Sequence, residues 1–261
     1  MTLFRTLYRS EGLLEAPTPM PDGSLVFANT TMGGVYRLTG DTAELVVPRR
    51  RGIGGIAVHE AGGFVVSGRD LAYARDTDVH SLLAPDGAAG LNDLTVASDG
   101  SVVVGVLRHY PTKGEPAGPT EVLRLDAAGD VTTVASDLLW PNGMGFSPDG
   151  ETLYVAEYAA SRIRAVRGSR SDIFASAPRG ECDGLAVDAE GGVWVALGSG
   201  AGVARFTPDG QLSEVLDIPE AFVSSVAFGS GGLFVTTIGA VLFADVGIEG
   251  LPRPLARVPV S

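Results

Sequence analysis

A chain of 261 residues that is 45% hydrophobic and only 19% charged is too apolar for disorder, and its 36 glycines suit many short strands joined by tight turns. The formal charge of −12 and pI near 4.6 argue against nucleic acid and anionic membranes, which demand a basic surface. A single cysteine, Cys182, excludes an internal disulfide or a thiolate cluster. The start, MTLFRTLYRSEG, has no apolar run of signal-peptide length, and 233–244 is too short and interrupted to span a bilayer, so the expectation is a cytoplasmic protein.

Taken in order, residues 4–9 (FRTLYR) read as an outer strand that pairs with the last part of the chain and closes a ring. A repeat then begins. Its clearest copy is WPNGMGFSPDGETLYVAE at 140–157: Asn142 opens it, Met144 and Phe146 alternate in a first strand, Asp149-Gly150 reads as a two-residue hairpin turn, and 152–156 return as a second strand. The turn glycine lies eight residues after the opening residue. The same offset recurs in Glu15 with Gly23, Gly54 with Gly62, Asn92 with Gly100, Asp183 with Gly191 and Ser224 with Gly232.

The openings are spaced 39, 38, 50, 41 and 41 residues apart, close to the period of propeller blades. The expectation is an all-β six-bladed propeller, 1–261 as a single domain, each blade a four-stranded antiparallel sheet around a central channel. The 50-residue interval is explained by RHYPTKGEPAGPT after 102–107, the longest loop and the best candidate for a lid (108–120). The triple arginine 49–51 reads as a solvated loop, and 241–260 should finish the sixth blade.

In a propeller the first residue of each innermost strand reaches one mouth of the channel. Glu15, Gly54, Asn92, Asn142, Asp183 and Ser224 therefore form a ring, four of whose members carry carboxylate or amide oxygens aimed at one point. Two carboxylates on one axis repel unless a cation or proton lies between them. An oxygen-only donor set with no histidine or cysteine suits a hard divalent cation, Ca²⁺ first, with Mg²⁺, Mn²⁺, Zn²⁺ and Fe²⁺ as alternatives. Loops after the second strands overhang this mouth. They offer Asn29, Arg108, His109, Tyr110 and Tyr158 as substrate contacts. The three histidines, His59, His80 and His109, lack zinc spacing, no serine sits in a G-x-S-x-G elbow, and Cys182 reads as a packed small hydrophobe.

The stretches LLEAPTPMPDG (13–23), LNDLTVASDG (91–100), WPNGMGFSPDGETLYVAE and CDGLAVDAEGGVWVA (182–196) resemble the senescence-marker-protein/gluconolactonase family, also called regucalcin, of six-bladed metal-dependent lactonases. The resemblance implies that Glu15, Asn142 and Asp183 are metal ligands. By the same resemblance Asn92 lies beside the metal as a catalytic and substrate contact, and Asp183 doubles as general base. Pro19 stands where many members have tryptophan, Gly90 where they have arginine and Asn29 where they have aspartate, so an apolar or aromatic lactone is open beside a sugar lactone.

The expected function is lactone opening by a metal-activated water on a small-molecule substrate, by a monomer or weak homo-oligomer. Alternatives are the same cradle cleaving an organophosphate or another ester, and a calcium-binding propeller without catalysis. A metal-free synthase resembling strictosidine synthase is disfavoured by the intact ligand ring.

Overall fold

The computed structural model describes residues 2–48 and 50–260; Arg49 of the arginine run lies outside them. Five antiparallel sheets form. The first is six-stranded and contains β1 (Arg5–Pro19), β2 (Leu25–Asn29), β3 (Val35–Thr39) and β4 (Thr42–Val47). The second has β5 (Ile56–Val58), β6 (Phe64–Val66), β7 (Leu71–Arg75) and β8 (Asp78–Leu83). The third has β9 (Gly90–Val96), β10 (Val102–Leu107), β11 (Pro119–Leu125) and β12 (Val131–Leu139). The fourth has β13 (Pro141–Phe146), β14 (Leu153–Glu157), β15 (Arg162–Arg167) and β16 (Arg170–Ser176). The fifth has β17 (Leu185–Val187), β18 (Val193–Ala196), β19 (Gly202–Phe206) and β20 (Leu212–Asp217), and the chain returns to the first sheet with β21 (Val223–Gly229) and β22 (Gly232–Ala244).

Six separate four-stranded sheets are thus not what the hydrogen bonds draw. β1 runs unbroken, pairing with β22 through Arg5–Leu13 and with β2 through Leu14–Pro19, so the first and sixth repeats share one sheet. This is the closure expected of 4–9, and it removes the open edges that two chain ends would leave. The segment expected to finish the sixth repeat does so only to Ala244. Residues 245–260 instead strap the far face, where the hairpins turn: Asp188 bridges Gly250, His59 bridges Ala256, and Arg257 N–H donates to Gly100 O at 2.8 Å.

The second strands β2, β6, β14 and β18 are buried throughout and β10 nearly so, because each is covered on both faces by neighbouring repeats. Hydrophobic clusters fill the gaps between successive repeats. Val103 and Val122 meet Met144 and Val155 in one, and Phe234 and Val241 meet Leu14 and Phe27 in another. Cys182 packs in such a cluster, and burial pushes its thiol up to about 12.

The hairpins are longer than the expected two-residue turn. Ala97 N–H bonds Ser101 O and Gly100 N–H bonds Ala97 O, both at 2.9 Å, which makes a three-residue loop ending on a left-handed glycine, φ 88°. The Ser147–Thr152 loop is one residue longer still, with Gly150 in the same conformation at φ 73°. In the sixth repeat the left-handed positions are Ser230 and Gly231, not Gly232, because Gly229 pairs directly with Gly232.

Around the axis the innermost strands approach each other at glycine. A Cβ on Gly143 would lie 2.1 Å from Leu185 N, so the fourth and fifth repeats meet at this depth only without a side chain. Gly143→Ala is therefore expected to destabilise the fold by roughly 3 kcal/mol through overpacking against backbone; urea unfolding measures it, and an unchanged midpoint would contradict the packing described.

Candidate active site at the channel mouth

Four of the ring residues sit at the same kind of irregularity. The register slips by one residue between Glu15 and Thr18 against β2, between Leu91 and Leu94 against β10, between Pro141 and Met144 against β14, and between Val223 and Ser225 against β22. Each slip is a β-bulge, which turns the strand and re-aims a side chain that a regular pleat would send into the sheet interface. Glu15, Asn92, Asn142 and Ser224 occupy them. Ala16, at φ 53°, completes the first kink.

The bulges are tied to one another around the axis. Ser224 Oγ donates to Leu14 O at 2.6 Å, Asn92 Nδ2 donates to Pro141 O at 3.1 Å, Gly143 N–H donates to Asp183 O at 3.1 Å, and Gly184 N–H donates to Ser224 O at 2.8 Å. Gly54 holds its place in the ring by being small. A Cβ there would come within 2.8 Å of Asn92 Oδ1.

Glu15, Asn142 and Asp183 are buried, Asn92 is half-buried, and Asp183 Oδ1 has no hydrogen-bond partner. Burial raises Glu15 well above the ordinary carboxylate range, and the charges of Asp183 and Asp93 raise it further. Burial and the Asp93 charge do the same to Asp183, while the Asn142 side chain beside it acts in the opposite direction. Among the described residues no three His, Cys, Asp or Glu side chains are grouped as a metal cluster. The donor set at the mouth is two carboxylates completed by amides, and the unpartnered Asp183 oxygen fits a hard cation.

Two residues that the sequence reading missed lie deeper. Asp93 and Arg253 line an axial cavity of about 30 Å³, room for one or two waters. Asp93 is raised to about 7 by burial, opposed by the Leu94 amide and the Arg253 charge. Arg253 sits exposed on the strap, yet its guanidinium reaches inward to donate to Pro17 O at 2.9 Å. The signal was available for Asp93, since it follows a ring residue. None existed for Arg253, whose partners are far away in sequence.

The overhanging loops divide into committed and uncommitted groups. Asn29 Nδ2 donates to Glu11 O at 2.7 Å and its Oδ1 accepts Met32 N–H at 2.9 Å, so this expected substrate contact is spent on the β1–β2 end. Arg108 forks onto Glu121 and donates to Asp86 O at 2.9 Å. Arg50, expected in a solvated loop, is half-buried, pairs with Asp70 and donates to Ser67 O at 3.0 Å. Tyr110 is exposed, with Lys113 Nζ 3.8 Å from its ring centre, in a loop that contains a single helical turn, Pro111–Lys113. His109 is buried with its Nε2 unpartnered and its ring 4.8 Å from that of Trp140, which in turn lies 4.6 Å from Tyr158. Burial and the charges of Asp183, Glu181 and Glu15 raise Tyr158 above its usual range, which puts that ring beside the carboxylates. Trp140 lies two residues before Asn142, which opens the repeat, and was not read as part of the site.

Closed antiparallel sheets around an axis, with a ring of oxygen donors at one mouth, define a β-propeller with an axial polar site. The chain belongs to the SMP-30/gluconolactonase/LRE-like family, whose model matches residues 13–239. It is 29% identical to the pentonolactonase XacC of Haloferax volcanii over 256 residues, covering 92% of this chain and 86% of that protein. It is 30% identical to the L-arabinolactonase of Azospirillum brasilense, covering 91% and 74%. The solved structure of a calcium-binding protein, regucalcin, from Agrobacterium tumefaciens superposes with a TM-score of 0.85 at 21% identity over 98% of each chain, a likeness of fold. Among the described residues no helix is long and apolar enough to cross a membrane.

The raised carboxylates make the metal-free fold pH-sensitive. Asp93, Glu15 and Asp183 hold protons in the folded state that the unfolded chain releases near pH 4, so stability falls as pH rises from about 4 through about 7. The lowered carboxylates Asp70, Asp99 and Glu121 act only below that window, and His109, lowered by burial, opposes it. Thermal unfolding of chelated protein should show the wild type losing more stability than Asp93→Asn between about pH 5 and about pH 8; identical losses would remove Asp93 from the account.

Proposed function

We propose that the chain is a divalent-metal-dependent lactonase that opens a cyclic ester at the channel mouth, and that it works in the cytoplasm. The observation that carries this reading is the buried pair Glu15 and Asp183, held near one another with an unpartnered Asp183 oxygen and with Asn142 alongside. The names of its relatives, a pentonolactonase and an L-arabinolactonase matched over most of their length, support the reaction class.

Glu15, Asn142 and Asp183 would hold the cation, with Asn92 beside them and Ca²⁺ the first choice for an all-oxygen set. A divalent cation bound there supplies Lewis acidity to the ester carbonyl and to the attacking water. The chain's own groups do the rest. Asp183, whose Oδ1 has no hydrogen-bond partner within the protein, would take the proton that the water gives up as it attacks. Asn92 is fixed through Nδ2 to Pro141 O, which leaves its Oδ1 to accept a hydrogen bond from water or substrate. Tyr158, beside the carboxylates, walls the mouth and limits bulk water there. Asp183 would then return that proton to the ring oxygen as the acyl–oxygen bond breaks, which gives the open hydroxy acid and regenerates the carboxylate.

Two measurements test this on a panel of sugar, aliphatic and aromatic lactones. Chelation should abolish turnover and Ca²⁺ should restore it, while Asp183→Asn should lower kcat by roughly 10²–10⁴-fold with the fold retained. Turnover that survives chelation would reject the mechanism, and cation-induced thermal stabilisation without turnover of any ester would favour a binding propeller.

A further inference from the structure

The loops at the mouth are unlike a surface built to grip a polyhydroxylated ring. Such a substrate needs several free hydrogen-bonding side chains around its rim, and a site that binds hydroxyls must leave those partners uncommitted. Here Asn29 is spent on Glu11 and Met32, and Arg108 on Glu121 and Asp86. Glu181 is likewise spent on Ser199, accepting its N–H at 2.9 Å. Close to the carboxylates lies an aromatic group instead. Half-buried Trp140 and Tyr158 lie side by side with their rings tilted by 40°, and the buried His109 ring backs Trp140 edge-on at 70°.

The stack is also held rigidly. Trp140 takes a left-handed backbone, φ 59°, that costs a bulky residue energy and persists only when neighbours enforce it. They do so on both sides. Leu139 N–H donates to the fully buried Glu157 at 2.9 Å, Tyr158 N–H donates to Trp140 O at 3.0 Å, and Glu157 is itself held by Arg162. The same kink leads directly into Pro141 and Asn142, so the shelf and the ligand ring are set by one piece of backbone.

Resting on the lactonase reading, we propose that Trp140 and Tyr158, backed by His109, form a substrate-selecting shelf that favours lactones bearing an aromatic or other flat apolar group. The apolar part of the substrate lies against Trp140 and Tyr158 with its ester toward Asp183. His109, buried behind Trp140, fixes the tilt of that ring. Tyr110, exposed at the rim, adds apolar area without forming part of the stack.

The test compares dihydrocoumarin with glucono-δ-lactone on the metal-loaded full chain. The wild type should show the higher kcat/KM for dihydrocoumarin, and Trp140→Ala should lower that value roughly tenfold, mainly through KM, while changing the sugar lactone less than about twofold. Trp140→Phe should recover most of the loss, and His109→Gln should also act selectively on the aromatic substrate. A turnover-independent reading comes from fluorescence: of the two tryptophans Trp194 is fully buried, so the aromatic lactam that mimics dihydrocoumarin should quench Trp140 emission. A wild type that prefers the sugar lactone, equal losses on both substrates, or no quenching overturns the shelf while leaving the lactonase reading intact. No turnover of any lactone with metal present overturns both.

Discussion

Glu15 and Asp183, with Asp93 below them, are forced into a narrow axial space where water is scarce and their charges repel. Left ionised and unpaired, such a group would cost several kcal/mol, so the fold must supply a proton, a cation or a counter-charge. Asp93 has Arg253 reaching in from the far face. The upper pair has only amides and an unfilled carboxylate oxygen. That asymmetry is why the mouth reads as the place where something binds and the lower channel as a place already provided for.

Holding the pair there requires the rest of the architecture to turn inward at specific points. A regular strand alternates its side chains between two sheet faces, and neither face looks down the axis. The bulges at Glu15, Asn92, Asn142 and Ser224 break that alternation, and the hydrogen bonds between adjacent innermost strands keep the breaks in register with one another. Glycine at 143 allows the strands to come close enough for those bonds. The geometry of the ring and the packing are therefore one constraint, since loosening an inner strand would move an oxygen donor.

The loops above the ring follow a different logic. Asn29 and Arg108, which looked available in the sequence, are tied to neighbours, and near the carboxylates lie the half-buried rings of Trp140 and Tyr158 with His109 behind them. Buried polar groups must find partners wherever they end up, so long, flexible residues such as Arg108 are often captured by structure before any substrate arrives. Aromatic rings need no such partner and can remain open to a ligand.

The sequence by itself determined the repeat, its all-β character and the opening residues of the innermost strands. Turn glycines and alternating apolar runs are local requirements of hairpins, and they recur wherever a hairpin does. It also carried the chain-closing strand at 4–9. It misjudged hairpin length, the turn position at Gly231 and the fate of 245–260, because those depend on which residues pair across a sheet or a face. Only the tertiary structure decided that β1 joins the first and sixth repeats in one sheet, that Arg253 points into the channel under Asp93, that Asn29 and Arg108 are spent, and that Trp140 packs between His109 and Tyr158. Those outcomes rest on partners brought together by closure of the ring, and a linear order of residues does not encode which distant hydrogen-bond acceptor lies nearest.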